Sequence, residues 1–285
     1  MGNYYYLVAG LPELQTDGQK LKHTLIELKE ELVKSLSDSD MTMINYFFMQ
    51  YDNRNVLKLL SDIEADTDER GTISKEEITE FIVNYKKQES DISKKLYSYL
   101  KHFITSFISE EPVFTELNWE DQLTTLYYDY AIKCKNEFIA SWFEFNLILT
   151  NVLVANNCLK YGIDRNKAII GHSEIIDSIR ISNAKDFGIS TIFPEIDEMV
   201  RIAEEPDFYE RERKIEILKW NWLEDKGFFH FFDMEYLFIY LLKVEMLQRW
   251  IILAKASGGE IFREMISKLQ RSFEFPNEFT LKKIK

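Results

Sequence analysis

The residues best suited by type and spacing to do chemistry fall in one short stretch, Asp66-Thr-Asp68-Glu-Arg70-Gly71-Thr-Ile73-Ser74-Lys-Glu-Glu77. Its spacing matches that of a helix–loop–helix calcium site. Asp66 and Asp68 take ligand positions one and three, Gly71 the sharp turn, and Glu77 the bidentate position twelve. Arg70 stands at position five, where calcium needs an oxygen, and the sequence offers no second loop to pair with this one. Physiological calcium binding is therefore not expected. The same residues fit a simpler purpose: Gly71 lets the chain turn, and Ser74 with Glu77 forms a capping box for the next helix.

Elsewhere the chain carries no phosphate-binding loop, dinucleotide fingerprint or nucleophile elbow. None of His23, His102, His172 and His230 has a second His or Cys three or four residues away, so no zinc spacing is present. No catalytic residue, metal or cofactor is expected. Cys134 and Cys158 lie apart in apolar stretches and read as buried free thiols of a reducing compartment.

The elements that position these residues read as helices. Gly (10) and Pro (5) are scarce while 46% of residues are hydrophobic, which favours an all-α fold with a large core. Thr16–Gln19 reads as a capping box ahead of a helix carrying Leu21, Leu25, Leu28, Leu32 and Leu36. Helices are expected near Met41–Gln50 and Arg54–Ile63, after Ser74, and through Leu96–Phe107. Trp119–Tyr161, free of Gly and Pro, is one long helix or two. Further helices follow around Ser173–Ile181, through Ile196–Ala203, and from Pro206 at the first helical position. The last runs over Asp233–Ala256, stopped by Gly258-Gly259. In it Glu235, Lys243, Glu245 and Arg249 share an arc of about 160°, with Glu245 and Arg249 a favourable i, i+4 pair. The tyrosine-rich opening is the one plausible strand.

From Phe138 to Leu159 the only charge is Glu144, yet Asn146, Asn151, Asn156 and Asn157 would be costly in hydrocarbon, so a protein-core helix is expected there. The opening residues lack the basic segment of a signal peptide. A net charge of −13 repels phosphate backbones and argues against nucleic acid as a partner.

Tyr51-Asp52-Asn-Arg-Asn55-Val-Leu-Lys-Leu-Leu60 resembles the recurring signature of the C-type subunit of V/A-type ATPases, known as the d-type subunit in eukaryotic complexes. The run Phe143–Gly162, with Asn146 and Asn151, resembles a degenerate second copy that lacks the aspartate. Phe232–Arg249, with Glu235, Glu245 and Arg249, resembles that family's C-terminal helix. The opening Tyr4–Pro12 is closer still to an uncharacterised bacterial family encoded beside V-type ATPase subunits.

The resemblance implies one helical domain over residues 1–285, with sub-bundles 1–111, 112–188 and 189–285, built as an elongated or funnel-like bundle of long helices with degenerate repeats. It implies a non-catalytic subunit or assembly factor that couples the central rotor stalk to the membrane ring for ion transport. Partners would be other V/A-type ATPase subunits. The protein would be cytoplasmic and reach the inner face of the membrane only through the complex. Read from the residues alone, Asp52 is a helix N-cap ahead of a leucine face, and Asn146 and Asn151 are buried amides in need of partners. A calcium-responsive or small-ligand helical module using Asp66–Glu77 is the alternative function.

Overall fold

The computed structural model describes residues 4–12, 14, 21, 23–87 and 96–257, with side chains to 251. Among these, eleven α-helices and one 3-10 turn at Arg165–Lys167 occur, and no strand. The fold is all-α, as the scarcity of breakers requires.

Three long helices form the frame: α3 (Asp38–Ser61), α7 (Glu137–Tyr161) and α11 (Met234–Ser257). At 1.5 Å per residue each is about 36 Å long. The first, α1, spans Tyr5–Gly10; α2 (Leu25–Ser35) precedes α3, and α4 (Lys75–Lys86) and α5 (Ser98–Ile108) follow it. Both α4 and α5 pack against α3. α6 (Trp119–Ala131) joins α5 and α3 to α7, which also carries α8 (Glu174–Ile181) and α9 (Ile196–Ala203). α10 (Phe208–Gly227) leads from α9 to α11, and α11 returns against α3 and α2. One continuous apolar core therefore runs from Leu25 to Trp250.

Side chains set the helix starts. Thr24 with Glu27 and Ser74 with Glu77 are complete capping boxes on α2 and α4. Asn118, Asn136, Ser173 and Asp207 cap α6, α7, α8 and α10, each accepting a bond from the backbone N–H three residues on. The cap at Asn136 resolves the Trp119–Tyr161 stretch into two helices, because its carboxamide accepts from Ile139 N–H and starts α7 afresh.

Several expectations are corrected. The segments at Met41–Gln50 and Arg54–Ile63 are one helix, α3. The leucine helix starts at Leu25, capped by Thr24, leaving Leu21 outside it; Thr16–Gln19 and Gly258-Gly259 lie outside the described residues. Pro206 precedes the Asp207 cap and is not the first helical residue. The opening is helical: Tyr4 N–H donates to Phe232 O at 2.7 Å and Tyr4 Oη donates to Asp40 at 2.5 Å, which ties α1 across the starts of α3 and α11. Leu7, Val8 and Leu11 of this opening pack on the core, a spacing that suits a helix.

Among the described residues one helix, α7, is long and apolar enough to cross a membrane, and 61% of its most apolar window is buried inside the protein. Cys134 and Cys158 are buried free thiols, as expected.

Candidate functional site

Asp52 and Asn55 lie in the middle of α3, both buried, so the N-cap reading fails; what they hold is the loop between α3 and α4. Asn55 grips one residue of it twice. Its Oδ1 accepts from Asp68 N–H at 2.7 Å and its Nδ2 donates to Asp68 O at 3.0 Å. Asp52 Oδ1 accepts from Thr72 N–H at 2.7 Å and Ile73 N–H at 3.1 Å, while Oδ2 accepts from the Thr72 hydroxyl at 2.7 Å. From α2, Lys29 donates to the carbonyls of Arg70 and Gly71.

The chain does turn at Gly71, whose N–H donates to Asp68 O at 3.1 Å, but its φ is not positive, so the turn alone does not require glycine. A Cβ there would meet Asp52 Oδ1 at 2.6 Å and Asn55 Nδ2 at 2.9 Å, so the glycine is what lets the two side chains reach the backbone. Burial pushes the Asp52 carboxyl up to about 6, against the opposing pull of its hydrogen bonds and of Lys29.

Of the three carboxylates at calcium-ligand positions, Asp68 and Glu77 are already committed, while Asp66 is held through its backbone carbonyl, 3.4 Å from Lys58 Nζ. Asp68 Oδ1 accepts from the Arg70 N–H and guanidinium Nε, and Oδ2 accepts from Nη2 at 2.6 Å, which holds the Asp68 carboxyl below its ordinary value. Glu77 caps Ser74 N–H. The Asp66–Glu77 stretch thus folds as a loop pinned to α3, with Arg70 as internal counter-ion.

The pinning has a second result: Arg70 is laid 4.1 Å from the centre of the Tyr51 ring, at the edge of a cleft of about 430 Å³. The cleft floor is aromatic, formed by Phe47, Tyr127, Trp142, Phe143 and Phe238. Its walls carry Arg54, Arg70, Lys219 and Arg249 against Glu216 and Glu245. Glu245 accepts from Tyr51 Oη at 2.6 Å and Gln50 Nε2 at 3.0 Å. Burial and the neighbouring Glu245 charge drive the Tyr51 phenol well above its ordinary range.

Arg249 does not pair with Glu245, as helix spacing suggests, but reaches α10, 2.7 Å from Glu216 and 3.1 Å from Glu212. Glu216 is 3% exposed, and its Oε2 has no hydrogen-bond partner among the described residues. Burial raises its carboxyl, opposed by Lys219 and Arg249. Asn146 also lines the cleft and satisfies itself by donating to Trp142 O at 2.8 Å.

Asn151, the signature residue of the second copy, repeats the grip of Asn55. Its Nδ2 donates to Ile170 O at 2.8 Å and its Oδ1 accepts from Ile170 N–H at 3.0 Å, in the loop between α7 and α8. A glycine, Gly171, follows Ile170 directly, where Gly71 stands three residues after Asp68, and like that of Gly71 its carbonyl is held by a cation, Arg180, at 2.9 Å. A serine, Ser173, again caps the following helix. Where Asp52 precedes Asn55 by three residues, Ile148 precedes Asn151, and it is buried. The segments α3–loop–α4 and α7–loop–α8 thus share an asparagine grip on the loop that connects their helices. Glu235, the remaining signature residue, is buried at the start of α11 and accepts from Asn136 Nδ2 at 2.7 Å.

Asp52, Asn55, Asn151, Glu245 and Arg249 each bond to a residue outside their own helix, whereas Asn146 bonds within α7. Sequence spacing does not single out Tyr51, Lys29 or Glu216, because their partners are distant along the chain. Nor does it show a metal set, yet the structure gathers His230, Asp233 and Glu235 so that their ligand atoms lie within 4.8 Å of one another.

The model of one protein family, described as a protein of unknown function (DUF2764), matches residues 1–273, and the chain belongs to that family. No curated protein matches it, and no solved structure does.

Proposed function

We propose that this member of the family is a non-catalytic subunit of a V/A-type ATPase that docks the central rotor stalk onto the membrane ring. The observation that carries the reading is the repeated asparagine grip. Asn55 and Asn151, one from each of two segments that resemble the C-type ATPase subunit, make the same pair of bonds to the backbone of one residue in the loop that follows. A bundle of long packed helices, with the elongated or funnel-like outline that the resemblance implies, suits a part that must carry torque, because close-packed interiors resist compression.

On this reading the cleft between α3, α7, α10 and α11 is the docking surface. Its aromatic floor and its arginines are the residue types that dominate protein–protein contacts. The protein remains at the inner face of the membrane only through the complex, and its partners are other components of that ATPase.

Purification at endogenous level from the native cell tests this. Stoichiometric recovery of ATPase subunits with the wild-type chain, reduced at least tenfold by Arg54→Glu with Lys219→Glu, is the expected outcome. Recovery of the chain free of any ATPase component, from membranes in which that ATPase is intact, contradicts it.

A further inference from the structure

At the start of α11 three metal-binding side chains converge. His230 Nδ1 lies 2.6 Å from Asp233 Oδ2, and Glu235 brings its carboxylate to the same point, all three ligand atoms falling within 4.8 Å of one another. Asp233 uses its other oxygen, Oδ1, to accept from Tyr236 N–H at 3.0 Å and cap α11, so Oδ2 is held facing His230.

Glu235 is the unusual member. It is 4% exposed, its Oε1 accepts from Asn136 Nδ2, and its Oε2 is buried with no hydrogen-bond partner among the described residues. A buried carboxylate oxygen without a partner is costly, and such groups are normally satisfied by a donor, a water or an ion. This residue borders an open cavity of about 700 Å³ that His230 also lines.

From this geometry we propose a divalent transition-metal site, of zinc type, held by His230, Asp233 and Glu235, with its open position facing the cavity. The metal takes the place of the proton between His230 Nδ1 and Asp233 Oδ2. Tetrahedral zinc, with bonds of about 2.0–2.2 Å, sets its ligand atoms about 3.4 Å apart, so the 2.6 Å contact opens slightly and the wider separations close. One imidazole with two carboxylates favours zinc or cobalt over calcium or magnesium, which prefer all-oxygen sets. Asn136 supplies the outer hydrogen bond that orients a ligating carboxylate. Three protein ligands and one open position leave room for an exchangeable water or anion, and Lys135 and Lys226 on the cavity wall suit an anion there.

The test uses the tag-free full chain, stripped with chelator and titrated with Zn(II) by calorimetry and with Co(II) by visible absorption. The site predicts one equivalent bound, an absorption spectrum of low-symmetry four- or five-coordinate cobalt, and at least thirtyfold weaker binding in His230→Gln and Glu235→Gln. Asp233→Asn weakens binding while keeping the helix cap, since asparagine caps as well as aspartate, and circular dichroism confirms that each variant is folded. The double variant Cys134→Ser with Cys158→Ser retains wild-type affinity. Absence of one-to-one binding, unchanged affinity in the three ligand variants, or loss of binding in the cysteine variant overturns the proposal. These outcomes do not depend on whether the chain assembles with an ATPase.

Discussion

Asn55 on α3 and Asn151 on α7 make the same two hydrogen bonds to one residue of the loop that follows, yet the two loops are otherwise held by different physics. In the first, a buried carboxylate three residues ahead takes up three more donors, and a glycine is needed because that carboxylate comes so close. In the second, the equivalent position is Ile148 in the apolar core, and Gly171 is needed for its backbone, at φ +81°. The asparagine is the shared device of the fold. The aspartate is an addition that pins the first loop rigidly enough to present Arg70 over Tyr51 at the cleft.

The contrast can be broken by placing the aspartate where the second copy lacks it. Ile148→Asp buries an unpaired charge in the apolar core, and is expected to cost about 4–5 kcal/mol. Urea unfolding checks this, and a cost under about 1 kcal/mol would mean that the second loop can adopt the first loop's arrangement.

Gly71→Ala forces a methyl against Asp52 Oδ1 and Asn55 Nδ2, at 2.6 and 2.9 Å, and should cost about 3 kcal/mol. In Gly171→Ala the nearest atoms are the side-chain end of Leu147, at 2.9 Å, and with the backbone strain at φ +81° the cost should be about 1–2 kcal/mol. The same unfolding experiment ranks the two.

Asp52 also gives the first loop a pH dependence that the second lacks. Its carboxyl rises from an ordinary 3.8 to about 6 on folding, so between those values the folded chain keeps a proton that the unfolded chain has lost. Stability from this group therefore falls as pH rises through that window, by on the order of 2–3 kcal/mol, and levels off above it. Asp52→Asn should remove this decline while the Thr72 and Ile73 N–H groups keep an acceptor. Parallel pH profiles of wild type and variant would show that Asp52 stays ionised throughout.

Alanine substitutions separate the two asparagines, and the Asn55 change is the smallest effect expected. Asn151→Ala strands the N–H and C=O of Ile170, which is 4% exposed, and should cost about 2–3 kcal/mol. Asn55→Ala should cost about 1 kcal/mol, because Asp68 is only half-buried, water reaches its backbone, and Asp52 and Lys29 still hold the loop. Hydrogen exchange at Ile170 and Asp68 N–H reads out the same difference locally.

The helices are legible in the sequence wherever the signal lies within one turn. Ser74 with Glu77, and the leucines at 25, 28 and 32, can be read because cap and stripe are short-range patterns. The break at Ile132–Asn136 cannot, since neither Gly nor Pro marks it and Asn136 caps as readily as it continues a helix. The opening tyrosines suit a strand by propensity, and contact with Phe232 and Asp40 makes them a helix instead. In the site, Asp52 and Asn55 stand out by their pattern, but their role is hidden because their partners lie 13 to 21 residues away. Arg249 shows the same limit: helix spacing offers it Glu245, and packing offers Glu216.

The proposed coupling role is tested most directly in membranes from a strain deleted for this gene, by measuring ATP-driven ion uptake beside ATP hydrolysis. The adaptor reading predicts that uptake is lost while the soluble sector still hydrolyses ATP, and that wild-type protein restores uptake. Normal ATP-driven uptake by an intact complex lacking this chain would contradict it.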